Sequence, residues 1–496
     1  MQKKQTILVV ASLLVVVLSV TLAYFTAQII GKGKIVTINS ADLKIIFTDS
    51  DGSISGTNIE PGKWNVTKTF TIENKSNETY KYNIVIQDLV NTFVTNGYLQ
   101  YKITSTNGGY NMTEFKDVPK SETATDTILA YSVSISVGVT QSYTVEFKYA
   151  NDESVDQSND MGKKLSGTLF ITEGTEDPNK TLYNQLLVDK STKLTRTDFS
   201  KVLTDNNTNT LYTGVEDSKT VYYFAGNATD NWVKFGKNAS NQDLYWRIIR
   251  TNSDGSVRLL YHGTSTTTTD AYIGTSAFNS SYDNIAYVSY MYGSLGSISS
   301  ARENTNNSTI KTTIDNWYIS NLEAKGYTKY LSTTAVYCND RSISSDSINF
   351  GAFTRLGTNK TPSYDCAATE DKFTVDTSTG NGKLTYPIAL MTADEVSFAG
   401  GLYGANTPTW YYYNSVNGSS TGSKFWWLLS PLDSSTSGSS MFIVRGSSNP
   451  GRLNYNYVYS NNGVRPALSL KSCAKYSSGD GSAENPYTIK ETETGC

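Results

Sequence analysis

Residue types able to carry acid–base, nucleophilic or metal chemistry are sparse in this 496-residue chain, and their spacing narrows the choice further. There is one histidine, His262. General acid–base chemistry near neutral pH most often uses imidazole, and a catalytic zinc needs about three protein ligands, commonly histidine. Histidine triads and zinc centres therefore find no ligand set here. Asp394 and Glu395 adjoin, but on a helix neighbouring side chains point about 100° apart and do not make a catalytic pair. Thr392-Ala393-Asp394-Glu395 reads instead as a capping box opening a short helix that Gly400-Gly401 can end, its acids favoured by the helix dipole. Asp49, Asp51 and Glu60 are oxygen donors of the kind calcium takes, yet they fit a solvated turn. A glycosidase requires only two carboxylates, so a carboxylate-based extracellular hydrolase stands as an alternative. No cofactor, no metal and no enzymatic activity are expected.

Groups suited to binding are easier to find. Trp410-Tyr411-Tyr412-Tyr413 places four aromatics in a row, and they cannot all point inward from a strand. Flat aromatic faces stack on sugar rings or anchor a protein partner. Trp410, Tyr411, Tyr412, Tyr413 and Trp427 are the candidate ligand-binding residues, with a glycan or a protein as the ligand. Tyr455, Tyr457 and Tyr459 offer the same chemistry, but their alternation fits a strand lining a core face, and that is the expectation. Trp426 and Trp427 are expected to straddle a strand, one in the core and one nearer the surface. Arg465, before Pro466, is expected to be a buried hydrogen-bonding anchor.

These groups must be positioned outside the cytoplasm. Lys3 and Lys4 precede an almost unbroken apolar run from Ile7 to Phe25, with no further charge until Lys32. As a helix, residues 7–25 rise about 28 Å, close to the roughly 30 Å hydrocarbon core of a bilayer. Positive flanks stay in the cytoplasm, which sends the rest of the chain across. Whether residues 1–30 form a signal anchor or a cleaved signal peptide is left open by Thr21-Leu22-Ala23-Tyr24-Phe25-Thr26, where small and aromatic residues end the run. The expected partner at this end is the membrane, through residues 7–25, and the expected location is the outer side of the cell membrane, or the medium after cleavage.

Four cysteines, Cys338, Cys366, Cys473 and Cys496, then belong to an oxidising compartment. Pairing sequence neighbours gives Cys338 with Cys366 and Cys473 with Cys496, although four cysteines permit three connectivities. Closing loops of that length stabilises by about 3 kcal/mol each. A net charge of −3 and dispersed Lys and Arg leave no footprint for nucleic acid. With 35 tyrosines, many Thr, Ser and Asn, and 18% charged residues, the chain is expected to be mainly β. Its length exceeds one ordinary core, so several domains are expected.

From Val36 to Thr172, within a domain expected over residues 31–174, the apolar pattern has period two. Phe70 and Ile72 form one alternating set, Tyr80, Tyr82, Ile84 and Ile86 the next, and Tyr143, Val145, Phe147 and Tyr149 a third. Turns such as Asp51-Gly52 and Asn107-Gly108-Gly109 separate them, which predicts an antiparallel β-sandwich. Asn58-Ile59-Glu60-Pro61-Gly62, the strand pair KTFTIENKSNETYKYNIVI (68–86), and the late YTVEFKYANDESVD (143–156) and LSGTLFITEG (165–174) resemble camelysin/TasA-like surface proteins, as does the end of the leader. That resemblance covers about residues 1–174 and implies a jelly-roll-like sandwich on a cell surface or in a biofilm matrix, with possible self-assembly into fibres by strand donation. A metallopeptidase role sometimes attached to such proteins has no histidine or cysteine to rest on in this segment.

Glu176-Asp177-Pro178 breaks the pattern, and TLYNQLLVDKSTKL (181–194) predicts a short amphipathic helix in a linker spanning 175–217. The remainder, 218–496, is expected to be a disulfide-containing α+β recognition domain. Tyr245 to Arg250 and Ser256 to Tyr261 flank Asn252-Ser253-Asp254-Gly255, a hairpin signal, and Ile314, Trp317, Tyr318 and Leu322 fall at helical spacing. SKFWWLLSP (423–431), MFIVRG (441–446), GRLNYNYVYSNNGVRPALSL (451–470) and GDGSAENPYTI (479–489) resemble an uncharacterised group of Gram-positive surface proteins over about 218–490, and the order of these segments is similar to the C-type-lectin and formylglycine-generating-enzyme fold. The Glu-Pro-Asn, Gln-Pro-Asp and Trp-Asn-Asp triplets of the calcium-dependent sugar readers do not occur, so calcium-mediated sugar binding is not implied. The function expected is a cell-surface binding or adhesion protein displaying its C-terminal domain on a sandwich stalk.

Overall fold

A computed structural model describes residues 43–47, 52–56, 59–205, 207–268, 271–343, 349–408, 410–411, 425–435, 438–446 and 449–496. The apolar run 7–25, Asp49, Asp51, Tyr412 and Tyr413 lie outside the described residues. Among the described residues, no helix is long and apolar enough to cross a membrane. The chain is mainly β and divides into two compact units, one ending at Pro178 and the other running from Asn179 to Cys496.

In the first unit, alternation does what the pattern predicts. Strands β1 (Leu43–Phe47), β2 (Asn65–Asn74), β3 (Tyr80–Asn91), β4 (Leu99–Ser105), β5 (Lys116–Asp117), β6 (Ser121–Ile135), β7 (Thr140–Tyr149) and β8 (Leu165–Glu173) form two sheets. Five strands run in the order β1-β2-β7-β4-β5 and three in the order β6-β3-β8, all pairs antiparallel. Phe70, Ile72, Tyr143, Val145 and Phe147 from the first sheet and Tyr82, Ile84, Ile86, Leu169 and Ile171 from the second bury into one core, which makes a β-sandwich. Polar groups inside it are satisfied across the sheets. The Tyr82 hydroxyl donates to Gln141 Oε1 at 2.5 Å and meets the Tyr143 hydroxyl at 2.5 Å. Buried Asp160 accepts from the Val94 amide at 2.6 Å and the Tyr149 hydroxyl at 2.8 Å.

The second unit begins earlier than the sequence pattern implies. Helix α1 (Leu182–Asp189) is capped by the Thr181 side chain and buries Leu182 and Leu186 in the main core, and strands β9 (Thr192–Thr195) and β10 (Thr210–Glu216) join its largest sheet. The expected linker 175–217 is therefore corrected from Asn179 onward: two leucines on one helix face are enough to bind it into the unit. The sheet continues through β11 (Lys219–Tyr223), β12 (Trp232–Lys237), β13 (Asp243–Thr251) and β14 (Val257–Gly263), the last two forming the hairpin over Asn252–Gly255. Then come β15 (Thr275–Ser276), α2 (Thr309–Tyr318), β16 (Ile388–Leu390) and α3 (Ala393–Phe398). In α2, Ile314 and Tyr318 are buried as their spacing predicts, and α3 carries the complete Thr392/Glu395 capping box.

The last segment supplies β17 (Trp426–Ser435), β18 (Gly438–Val444), β19 (Leu453–Tyr457), β20 (Asn462–Gly463), β21 (Pro466–Leu470), β22 (Tyr476–Ser478) and β23 (Tyr487–Ile489). β21 inserts between β14 and β16 in the large sheet, ordered β16-β21-β14-β13-β11-β10-β9, with β12 beside β13 and β23, and β22 beside β23. A second sheet runs β15-β20-β17-β18-β19, leaving β19 at its edge. Disulfides Cys338–Cys366 and Cys473–Cys496 are both formed, the pairing of sequence neighbours.

Candidate ligand-binding face

The aromatic residues sort by strand position, and not as their clustering predicts. β17 lies in the middle of its sheet with both faces covered, so Trp426 and Trp427 are both buried; the expectation that one would approach the surface is corrected. Trp427 donates its indole N–H to the Ser276 carbonyl at 2.8 Å and packs edge-on to Phe278. Trp410 is buried too, its ring near the bare Cα positions of Gly401 and Gly451, where a Cβ would meet it. Tyr411 is buried beside it. None of these three presents a ring to solvent. Arg465 is the buried anchor expected, donating from Nε to the Tyr261 carbonyl at 3.2 Å above Trp426.

Tyr455, Tyr457 and Tyr459 are the reverse case. They were expected to fill a core face and are instead 39%, 44% and 49% exposed, with Tyr282 at 44% beside them. Their strand explains this. β19 pairs with β18 alone along Asn454–Tyr457, Phe442 facing Tyr455 and Ser440 facing Tyr457. Bonds from Val458 N to Ser439 O at 3.1 Å and from Arg445 N to Arg452 O at 2.9 Å fix the phase of the ladder. Asn454 and Asn456 therefore sit in the closely bonded pairs, and the amides of Tyr455 and Tyr457 point to the open edge. There each is met by the side chain before it: Asn454 Oδ1 accepts from Tyr455 N at 2.8 Å and Asn456 Oδ1 from Tyr457 N at 3.0 Å. The repeat Asn-Tyr-Asn-Tyr thus serves two ends, capping the edge donors with amides and setting out tyrosines at every second residue.

The rings form one surface. Tyr457 and Tyr459 are nearly parallel, 7° between planes with centroids 5.7 Å apart, and Tyr282 leans on Tyr459 at 4.9 Å and 54°. Tyr457 lies over Gly438 of β18, where an added Cβ would stand 2.9 Å from its Cε1. Asn456 is steadied by Ser460 Oγ at 3.1 Å and reaches Asn462 Oδ1 with its Nδ2 at 3.3 Å.

One set of charged groups in this unit faces inward. Arg250 contacts Glu395 at 2.9 Å and Glu216 at 2.7 Å, Arg258 contacts Glu395 at 2.7 Å, and Arg355 contacts Asp394 at 2.9 Å and Asp340 at 2.7 Å. Burial alone would raise the Glu395 and Glu216 carboxyls, but the guanidiniums beside them hold both below the ordinary carboxylate value. The acids at the start of α3 are thus buried ion-pair partners as well as helix-terminal charges. The space they enclose is about 20 Å³, room for roughly one water and not for a sugar ring. His262 is packed edge-on to Trp232, and burial, then the charges of Arg465 and Arg247, push its pKa well below the imidazole value. Among the described residues, no three His, Cys, Asp or Glu side chains gather as a metal site, and Glu60 pairs with Lys63 at 2.8 Å. The chemistry that β19 offers at its open edge is aromatic stacking and hydrogen bonding.

No protein-family model matches the chain, and no curated protein matches it. Among solved structures, a β-glucosidase from Kluyveromyces marxianus in complex with glucose is similar over 29% of this chain and 14% of the enzyme's length, at 10% identity and a TM-score of 0.15. A likeness so slight carries no argument about either protein.

Proposed function

We propose that this chain is an exported cell-surface binding or adhesion protein whose second unit recognises its ligand through the tyrosine face of Tyr282, Tyr455, Tyr457 and Tyr459. The observation that carries this reading is four half-exposed tyrosines gathered on one edge strand and its adjoining loops, in a unit whose adjacent acids Asp394 and Glu395 are held in buried ion pairs. Exposed aromatic clusters of this kind mark sites of contact. The two disulfides suit an oxidising, extracytoplasmic setting, and the leader 7–25 supplies the route there. The β-sandwich acts as the stalk, in keeping with its resemblance to camelysin/TasA-like proteins. The test is a glycan array and a pull-down with the full chain and its Tyr457→Ala/Tyr459→Ala variant. Ligand retained by the first and lost by the second supports the reading; blanks in both assays with the unaltered chain refute it.

A second reading, a matrix-fibre subunit, is favoured by the place of β1: the first described strand lies at a sheet edge and pairs with β2 alone over five residues. A neighbouring copy's strand in that position would join subunits end to end. Electron microscopy of concentrated protein that shows monomers only removes this reading.

A further inference from the structure

We infer that the ligand of the tyrosine face is an uncharged polysaccharide laid along β19, and not a peptide strand or an ionic partner; this rests on the binding reading above and narrows it. The first observation is the capped edge. A peptide adding to β19 by strand pairing would need the outward amides of Tyr455 and Tyr457, and Asn454 and Asn456 already occupy them. Displacing those amides gains one hydrogen bond by breaking another, so strand addition has little net drive.

The second observation is charge. Residues 453–464 contain no Asp, Glu, Lys or Arg. At the two ends, Arg452 is turned to Asn406 Oδ1 at 2.9 Å and Arg465 is buried. Near Tyr282, Asp283 takes the Ser281 hydroxyl at 2.9 Å. Half-buried Asp433 of β17, in register through Ser440 with Tyr457, and exposed Asp283 are dispersed carboxylates, so the face offers no cluster of like charge to a phosphorylated, sulfated or strongly basic partner.

What remains is the chemistry of a neutral sugar. The axial C–H faces of a pyranose are apolar and lie flat on an aromatic ring, while its rim of hydroxyls both donates and accepts. The tyrosines supply the rings and phenolic hydroxyls, and the side-chain amides of Asn454 and Asn456 lie along the same edge. Asn456 Nδ2 already meets Asn462 Oδ1 at 3.3 Å, and with Oδ1 engaged to the backbone the Asn454 amide has donor capacity only, a fit to sugar oxygens. Several rings in a line suit a chain of sugars better than a single one, because each sugar unit in register adds its own stacking contact.

The experiment is native affinity electrophoresis of the full chain through gels holding soluble uncharged polysaccharides, namely hydroxyethylcellulose, glycogen, galactomannan and glycol chitin with its amines fully acetylated. The expected result is retardation by at least one, insensitive to salt between 0.05 and 0.5 M as an uncharged contact requires. Tyr457→Ala and Tyr459→Ala should each weaken it about fivefold. Near-ultraviolet circular dichroism verifies that the variants fold, and Val215→Ala, a change at an exposed residue of β10, should leave retardation unaltered. Retardation that vanishes at high salt overturns the inference. So does an absence of retardation in all four gels together with a protein ligand lost on Tyr457→Ala; that outcome keeps the binding face and changes its partner. Retention of every ligand by the double tyrosine variant overturns both.

Discussion

Glu395→Gln tests whether the buried charges of the second unit are the frame on which its surface rests. Glu395 is 2% exposed and serves three partners: Arg250 Nε at 2.9 Å, Arg258 at 2.7 Å and the Thr392 amide at 3.0 Å. The glutamine keeps the shape and removes the charge. Arg250 retains Glu216, but Arg258 loses its counter-charge and keeps only neutral acceptors, the Val336 carbonyl and the glutamine oxygen. Removing one partner of a buried ion pair costs about 3 to 5 kcal/mol, because the guanidinium left behind stays desolvated. With a urea dependence of about 3 kcal/mol per molar for a unit of this size, the unfolding midpoint should fall by about 1 M or more. Tryptophan fluorescence is the assay, since Trp64 alone of seven tryptophans lies in the first unit.

The same substitution has a pH signature. The Glu395 carboxyl titrates below its ordinary value of 4.5 in the folded protein, so its contribution is complete above about pH 4.5 and fades as pH falls through the lower folded-state value. The gap between the unaltered chain and Glu395→Gln should therefore be widest near pH 7 and narrow on acidification. A midpoint shift equivalent to less than about 1 kcal/mol, or a gap that widens on acidification, would refute the account.

Gly438→Ala should push the Tyr457 ring off its seat, since the new methyl would stand 2.9 Å from Cε1; binding by the tyrosine face, read by the same electrophoresis, should weaken while the urea midpoint changes little. Replacing Cys338 and Cys366 by alanine opens a loop spanning 28 positions and should destabilise by about 3.5 kcal/mol, read as a lower midpoint under non-reducing conditions. Native protein should resist alkylation until reduced; four thiols reactive in the isolated protein would contradict export to an oxidising compartment. N-terminal sequencing of the native chain should return either Met1, for an anchor, or a residue soon after Phe25, for a cleaved leader.

Local signals in the sequence were legible, and long-range ones were not. The period-two sets around Phe70, Ile84 and Val145 became paired strands because one buried face fixes register, and the Thr392/Glu395 capping box formed because its partners are three residues apart. Sequence neighbours among the cysteines paired as expected. The aromatic site was misplaced for a reason of topology. Alternation states that Tyr455, Tyr457 and Tyr459 share a face, but which face meets the core depends on where β19 lies in its sheet. Trp410 looked exposed within its aromatic run, yet the glycines that make room for it, Gly401 and Gly451, come from other loops. The one local clue was the Asn-Tyr-Asn-Tyr repeat, in which a short amide precedes each ring and no aliphatic residue intervenes to suggest a core strand.

If the tyrosine face binds as proposed, it would do so many times and weakly. Every residue of β18 beneath it is buried, and each tyrosine moves about only two side-chain bonds, so little ordering remains to be done when a ligand arrives. The rings are nevertheless few, and each stacking contact is worth about 1 kcal/mol beyond its buried area. A single face therefore holds its ligand with modest affinity. Linked faces gain roughly a hundredfold or more in avidity without any new contact, provided that the ligand repeats and the faces share a surface. On the proposed reading, a polysaccharide would supply the first condition and display of many copies from a membrane or a matrix the second, so that the leader at one end of the chain and the tyrosines near the other would answer a single physical requirement.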